Sequence, residues 1–114
     1  MNHLLEKDSI SSNELEELLK DKEANSSDFI LIDVRENREY KRGYIRGVDE
    51  LKPTSQFENW AVELFNEYRD TTIIFTCRSG NRSRQVQTAF KTNGHTKVIN
   101  HSGGIISYNG KIIK

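Results

Sequence analysis

The residue with the clearest chemical potential in this sequence is its single cysteine, Cys77. It follows an apolar run, residues 71–76, and it precedes the polar stretch Arg78-Ser79-Gly80-Asn81-Arg82-Ser83. A thiol between a buried strand and the start of a helix, close to cationic side chains, ionises readily, and the thiolate is the nucleophilic form of cysteine. We therefore predict that Cys77 is a catalytic nucleophile.

The alternative is that Cys77 is only a small buried hydrophobic residue, the usual role of an isolated cysteine. The residues after it argue against this. Gly80 and Asn81 tolerate positive φ, so the loop can turn successive backbone N–H groups inward and form a nest for an anion. A helix that begins at about Ser83 would add its unpaired N–H groups and the positive end of its dipole. We expect these groups to stabilise a thiolate and to attract an anionic substrate.

Charged and hydroxyl side chains of the same stretch are candidates for substrate binding. Arg78 and Arg82 can orient a small anion and offset the charge of a leaving group, and Arg84 adds charge nearby. The alternative is that one of these arginines pairs with a surface carboxylate. Ser79 and Ser83 can donate a hydrogen bond to the sulfur or cap the helix, and capping is the expected role of Ser83. The predicted substrate-binding residues are Arg78, Ser79, Gly80, Asn81, Arg82 and Ser83.

Composition limits the class of protein. A chain of 114 residues suffices for one small core, so we expect a single domain over residues 1–114. Its 17 basic and 17 acidic side chains cancel, and this argues against a nucleic acid or a membrane surface as partner. Residues 1–8 contain no apolar core of a targeting signal, and no later run approaches membrane-spanning length, so we expect a cytoplasmic protein.

The single cysteine also limits redox and metal chemistry. Cys77 has no resolving partner in the chain, so a sulfur atom that it carries has to be removed by another molecule. One cysteine and three scattered histidines show no ligand spacing, so we expect no metal site. His101 is a candidate base, but a thiolate that its surroundings already hold ionised does not need one.

Hydrophobic spacing predicts alternating helices and strands. The predicted elements are a helix after the capping box Ser11–Glu14, a strand at 29–32, a short helix at 36–42, a helix from 57 to 68, a strand at 71–76, a helix from Ser83 to Gly94 and a strand at 97–99. We interpret the apolar stripe between Phe57 and Tyr68 as core. Helices that alternate with buried strands indicate an α/β fold with a doubly wound parallel sheet, in which ligands bind at the C-terminal ends of strands.

Cys77 lies at such a strand end, and Asp33 and Arg35 follow the neighbouring strand. These two residues can reach the rim of a pocket there. The alternative, which the pattern favours, is a structural ion pair or backbone clamp that braces the loop.

Four segments of the chain resemble one known family. They are residues 31–36 with Glu39 and Tyr40, residues 43–47, residues 77–83 and the pair Gly103-Gly104. With these residues in this order, the chain is similar to the single-domain rhodanese-like sulfurtransferase family. It departs from the family at Tyr44 and Arg46, where His and Pro are usual, and at Tyr108, where a Trp is common.

The resemblance implies a fold and a reaction. The fold is a rhodanese-like doubly wound parallel sheet flanked by helices on both faces. The reaction moves a sulfane sulfur from thiosulfate or a related small anionic donor to Cys77, which holds it as a persulfide. An external thiol, cyanide or a protein acceptor then removes it, and no cofactor is implied. A free-standing enzyme and a persulfide carrier for a partner protein both fit these residues.

Other functions fit parts of the sequence. Small cysteine-dependent phosphatases and arsenate reductases also place a cysteine in an anion-binding loop. The phosphatase pattern has an arginine six positions after the cysteine, where this chain has Ser83. Arg82 comes one position earlier, so the loop suits a sulfur atom better than a tetrahedral phosphate, and an arsenate reductase would need an external thiol. A non-catalytic binding module of the same fold usually lacks the cysteine.

Overall fold

Unbroken apolar runs form the central strands in the computed structural model, which describes residues 3–25 and 28–114. In chain order the strands are β1 (Ser9–Ile10), β2 (Ile30–Asp33), β3 (Tyr44–Ile45), β4 (Glu50–Leu51), β5 (Ile73–Thr76), β6 (Val98–His101) and β7 (Ile112–Ile113). The helices are α1 (Ser12–Glu23), α2 (Asn37–Tyr40), α3 (Phe57–Glu67) and α4 (Asn81–Thr92). Short 3-10 turns lie at His3–Glu6, Thr54–Gln56 and Ile105–Ser107.

The main sheet has the strand order β1-β6-β5-β2-β4, and its neighbouring strands run parallel. β3 and β7 form a separate antiparallel pair. Parallel neighbours need crossover connections, and helices in these connections cover both faces of the sheet. The predicted α/β fold, a parallel sheet flanked by helices on both faces, is confirmed.

Side chains of β5 alternate between two hydrophobic cores, one on each face of the sheet. Ile73 and Phe75 pack in the core that contains the buried residues of α3 and α4. Ile74 packs in the core that contains the leucines of α1. Because the alternation continues past the end of the strand, Cys77 belongs to the same core as Phe75 and lies beside α4.

Local signals in the sequence identified α1 and α3. The Ser11 hydroxyl accepts a hydrogen bond from the Glu14 N–H, and the Glu14 carboxylate accepts one from the Ser11 N–H, which confirms the capping box. On α3, Trp60 and Leu64 are buried and the rest of the predicted stripe packs against them. The strands β1 and β7 were not predicted, because two residues are too few to show an alternating pattern.

None of the helices in residues 3–25 and 28–114 combines the length and the apolar character that a membrane span requires.

Candidate active site

The Cys77 loop, residues 77–83, comprises the connection after the C-terminal end of β5 and the first turn of α4. Because β2 and β6 flank β5, the loop lies between the segments that follow these two strands. The Cys77 side chain is only 1% exposed. The sulfur therefore lies at the bottom of the loop, and its surroundings are set by protein groups rather than by bulk water.

Backbone N–H groups point at the Cys77 sulfur. The Gly80 N–H donates to Sγ at 3.1 Å and the Ser83 N–H donates at 3.4 Å. The Ser83 hydroxyl lies 3.3 Å from the same atom. Gly80 has a φ of 96°, which glycine adopts without a Cβ clash and which lets the chain curl around the sulfur. The loop is thus an anion nest with the sulfur at its centre.

The start of α4 differs from the prediction. The helix begins at Asn81, its N-cap is Gly80, and Ser83 is not the cap. Gly80 has no side chain to accept the N–H groups of the first turn. The Cys77 sulfur accepts the Ser83 N–H instead, which is the N–H that a capping side chain normally takes. The prediction was wrong because capping rules consider the N-cap side chain and not a sulfur earlier in the loop.

Opposing effects act on the pKa of the Cys77 thiol. Burial raises the pKa, because a thiolate loses hydration in the interior. Hydrogen bonds from the Ser83 hydroxyl and from the N–H groups of Ser83, Gly80 and Ser79 lower the pKa, and together they outweigh burial. The pKa of Cys77 therefore lies below its ordinary value, which favours the reactive thiolate.

Asn100, which the sequence analysis missed, holds the nest from the side of β6. Its Nδ2 donates to the Gly80 carbonyl at 3.2 Å, and its Oδ1 accepts a hydrogen bond from the Ser83 hydroxyl at 2.6 Å. Since Ser83 has one hydroxyl proton, Asn100 and a Cys77 thiolate compete for it. Asn100 pairs with Phe75 in the register of β6 and β5. Its role could be inferred only once this strand order was known.

Arg82 extends toward α2 and forms a bidentate ion pair with Glu39. The two N···O distances are 2.6 and 2.9 Å. The Arg82 side chain is 32% exposed and that of Glu39 is 23% exposed. The hydrogen bond from Arg82 lowers the pKa of Glu39 to about 2, so the pair is charged at neutral pH. This arrangement corresponds to the alternative stated above, in which one loop arginine pairs with a carboxylate. An anionic substrate that contacts Arg82 therefore has to share it with Glu39 or displace Glu39.

Glu39 was not predicted as part of the site, although it lies in a segment that carried the family resemblance. Its Oε1 also accepts the Glu36 N–H at 3.0 Å, and the Glu36 carboxylate accepts the Ser55 N–H at 3.1 Å and the Ser55 hydroxyl. α2 thereby links the Cys77 loop to the turn before α3. Glu39 and Arg82 are 43 positions apart, so no local pattern indicates that they meet.

Asp33 and Arg35 form a buried clamp and not an open rim. Their side chains are 1% and 6% exposed, and the Arg35 Nη2 donates to Asp33 at 2.8 Å. The same Nη2 donates to the Gly43 carbonyl at 2.8 Å, and Nη1 donates to the Glu39 carbonyl at 3.4 Å. Charged groups buried this deeply need such partners. The clamp braces α2 and the chain after it, and through Glu39 it also supports Arg82 of the Cys77 loop.

The outer surface of the Cys77 loop consists of Arg78, Ser79 and Asn81, which are exposed. Among the residues that the structure describes, Arg78 has no carboxylate partner, in contrast to Arg82. Arg78 is therefore available to meet an anion that approaches the sulfur.

A turn after β6 packs on the Cys77 loop from behind. We call residues 102–107 the supporting turn. The Ile105 N–H donates to the Cys77 carbonyl at 2.9 Å, and the Ile106 N–H donates to the Arg78 carbonyl at 3.2 Å. These two bonds fix the orientation of the first two peptide groups of the loop.

Two glycines allow this close backbone contact. Gly104 has a φ of 68°, and a Cβ at this position would overlap the Arg78 carbonyl. A Cβ on Gly80 would overlap the Ser102 carbonyl. The loop and the supporting turn are therefore closer than any side chain between them would permit.

His101 is buried and makes no hydrogen bond to Cys77. Its Nδ1 lies 2.8 Å from the Thr76 hydroxyl, and its Nε2 lies 2.8 Å from the Ser12 hydroxyl. Burial lowers the pKa of His101 to about 4, so the ring is neutral at neutral pH. Both ring nitrogens are engaged with hydroxyl groups, and neither is directed at the nucleophile.

The chain is similar to proteins of one family over most of its length. A model of the rhodanese-like domain matches residues 11–111. The tRNA uridine(34) hydroxylase of Citrobacter koseri is 35% identical over 99 residues, which cover 81% of this chain and 28% of that protein. The chain thus corresponds to less than a third of the length of this curated relative.

Solved structures share the fold. A rhodanese-like domain protein from Staphylococcus aureus has a TM-score of 0.71 and 25% identity, and the match covers 92% of this chain and 94% of that chain. The human single-domain sulfurtransferase has a TM-score of 0.68 and 23% identity, with 89% of this chain and 94% of that chain covered. At this level of identity the human protein supports the fold alone.

Proposed function

The chain belongs to the rhodanese-like domain family, and from this premise we propose that it is a sulfurtransferase that carries sulfur as a persulfide on Cys77. The Cys77 thiolate attacks the outer sulfur of a donor such as thiosulfate. The sulfur–sulfur bond of the donor breaks, and sulfite leaves with the bonding electron pair. A thiolate acceptor then attacks the outer sulfur of the persulfide, which regenerates the Cys77 thiolate and releases the acceptor as a persulfide.

The observation that carries this proposal is the ring of N–H groups around the Cys77 sulfur. These donors lower the pKa of Cys77 and so prepare the nucleophile. The same groups can stabilise the negative charge of a persulfide, which ionises readily. Arg78 is placed to attract the anionic donor, and the neutral His101 is not needed as a base.

The tightness of the loop supports sulfur chemistry over phosphate chemistry. Only residues 78–80 separate Cys77 from α4, because the helix begins at Asn81. At the position where a phosphatase needs its arginine, the Ser83 hydroxyl is bound to Asn100. Arg82 is paired with Glu39. We therefore regard a phosphatase as the less favoured candidate, together with an arsenate reductase and a binding module without catalysis.

The proposal is limited to sulfur transfer at Cys77. The Citrobacter relative is named a tRNA uridine(34) hydroxylase, but this chain matches under a third of it. The chain also has no excess of positive charge with which to bind a nucleic-acid backbone. We propose a small anionic sulfur donor and a thiol, cyanide or protein acceptor as partners, in the cytoplasm.

Intact-protein mass spectrometry after incubation with thiosulfate tests the proposal. Because Cys77 is the only thiol, the protein should gain the mass of one sulfur atom, and cyanide or a reducing thiol should remove it. The Cys77→Ser variant should gain nothing. An unchanged wild-type mass with thiosulfate and with an alkyl persulfide would favour the binding module. Turnover of an aryl phosphate that depends on Cys77, without sulfur loading, would establish the phosphatase instead.

A further inference from the structure

We propose that His101 is a positioning residue, which acts through the supporting turn to aim the Ser79 backbone N–H at the Cys77 sulfur. The inference deepens the proposed function, and rests on it only in assigning the sulfur a catalytic role. His101 does not touch the sulfur. It is the centre of a chain of hydrogen bonds that is buried at Thr76, His101 and Ser12 and ends at the exposed Ser107 on the supporting turn. The supporting turn orients the first peptide groups of the Cys77 loop.

The hydrogen-bond chain runs from β5 to the supporting turn. The Thr76 hydroxyl is 2.8 Å from His101 Nδ1, and the Ser12 hydroxyl is 2.8 Å from Nε2. The Ser12 and Ser107 hydroxyls are 2.6 Å apart, and the Ser107 hydroxyl donates to the Gly104 carbonyl at 3.2 Å. Thr76, His101 and Ser12 are 1%, 0% and 8% exposed, so water does not substitute for the two contacts of His101.

The number of available protons fixes which group donates and which accepts at each step of the hydrogen-bond chain. The Gly104 carbonyl can only accept, so Ser107 uses its single proton there. Ser12 must then donate to Ser107, and the His101 Nε2 must donate to Ser12. A neutral imidazole has one N–H, so Nδ1 is the acceptor and Thr76 donates to it. Every member is satisfied only when the neutral ring at residue 101 carries its proton on Nε2.

The supporting turn in its turn sets the orientation of a peptide group in the nest. In a trans peptide group the carbonyl and the N–H point in opposite directions. The Arg78 carbonyl is held by the Ile106 N–H on the side of the turn, so the N–H of the same peptide group, that of Ser79, points away from the turn. The Ser79 N–H is among the groups that lower the pKa of Cys77. Movement of the supporting turn therefore changes the donors that the thiolate receives.

The test compares His101→Leu with a matched control at the other buried histidine, His95. His95 is 2% exposed, its Nε2 lies 2.8 Å from the Tyr68 carbonyl, and it precedes β6, at the opposite end of the sheet from Cys77. The readout is the midpoint pH of alkylation by iodoacetamide, which reports on Cys77 alone because the chain has no other thiol. Thermal unfolding of each variant is measured in parallel.

We expect both histidine variants to lower the unfolding temperature, because each leaves buried polar groups without a partner. Only His101→Leu should raise the midpoint of alkylation, by about half a pH unit. Ser107→Ala, which removes the last link at an exposed residue, should shift the midpoint in the same direction by a smaller amount. This variant decides the question if His101→Leu does not fold.

An unchanged midpoint in the folded His101→Leu protein, or in Ser107→Ala if the former does not fold, would overturn the inference. An equal shift in His95→Leu would do the same, since it would show a general effect of lost stability. Alkylation does not require sulfur transfer. A protein that never gains sulfur from a donor but shows the expected shifts would refute the proposed function and leave the positioning role intact.

Discussion

The Cys77 loop is held from two sides, and the two sides use different chemistry. On the charged side, toward α2, Arg82 pairs with Glu39 at partly exposed positions. On the neutral side, toward β6 and the supporting turn, Asn100 binds Ser83 and Gly80, and the backbone of the turn binds the backbone of the loop. Ser83 and Asn100 are 0% and 5% exposed.

Hydration decides how much each side contributes to the geometry around the sulfur. Salt screens partly exposed charges, and such pairs typically contribute about 1 kcal/mol or less. A buried neutral group that loses its partner costs about 1–3 kcal/mol, because water cannot replace the lost bond. We therefore expect the neutral side to contribute most of the free energy that holds the nest in place, and the charged side to contribute less.

Removing the close backbone contact on the neutral side should have the largest effect. In Gly104→Ala the new Cβ overlaps the Arg78 carbonyl and also occupies a positive φ. We expect a loss of about 3 kcal/mol in the free energy of unfolding, from overpacking and backbone strain together, and loss of sulfur loading. Chemical denaturation and mass spectrometry after thiosulfate treatment measure the two effects.

Gly94→Ala is the control for backbone strain alone. Gly94 has a φ of 97°, but a Cβ there would meet no atom within 4 Å. We expect a cost of about 1 kcal/mol and normal sulfur loading. Equal effects of the two substitutions on stability and loading would show that the contact between the supporting turn and the Cys77 loop is unimportant.

The sequence predicted the parts of the site that depend on local patterns. Cys77 at a strand end, the positive φ of Gly80 and the capping box before α1 follow from neighbouring residues and were found in the structure. The partners on both sides of the loop could not be predicted in this way. Glu39 and Asn100 come from distant segments, and their contacts depend on strand order and on side-chain direction.

Ser83 was correctly predicted to belong to the loop, but its predicted role as the helix cap was wrong. The sequence marked it as part of the loop, and serine at a helix start normally caps the helix. In the folded chain the sulfur takes the N–H that a cap would take, and the Ser83 hydroxyl is bound to Asn100. Only the three-dimensional position of the sulfur reveals this exchange.

Neutralising Glu39 on the charged side should have an intermediate effect on the free energy of unfolding, and this effect should depend on pH. The pKa of Glu39 is lowered to about 2 by its hydrogen bond with Arg82. A lowered pKa stabilises the folded state above the ordinary value of the group, and the contribution is lost as the pH falls from about 4.5 to 2. Glu39→Gln should therefore cost about 1 kcal/mol at pH 7 at low salt and less as the pH approaches 2.

Urea denaturation of wild type and Glu39→Gln at several pH values and salt concentrations measures this difference. Glu63→Gln, an exposed substitution on α3, is the control for the loss of a carboxylate. A difference that persists unchanged at pH 2 and in high salt would contradict an ion-pair contribution. The Arg82→Met variant tests whether Arg82 orients the donor in addition to pairing with Glu39. If Arg82 also orients the donor, this variant lowers kcat/KM for thiosulfate while Glu39→Gln does not.

The smallest effect on stability should come from the side chain of Arg78, since Arg78 joins the neutral side only through its backbone carbonyl. Its side chain is exposed and has no carboxylate partner among the described residues, so Arg78→Gln should change the free energy of unfolding by less than about 0.5 kcal/mol. We expect a loss of about two- to fivefold in kcat/KM for thiosulfate at low ionic strength, because one cation that attracts the donor is removed. High salt should abolish the difference. Lys97→Gln makes the same change in net charge at the other end of the sheet, before β6, and should leave kcat/KM unchanged. A loss that is equal in both variants, or that is insensitive to salt, would show that Arg78 does not attract the donor to Cys77.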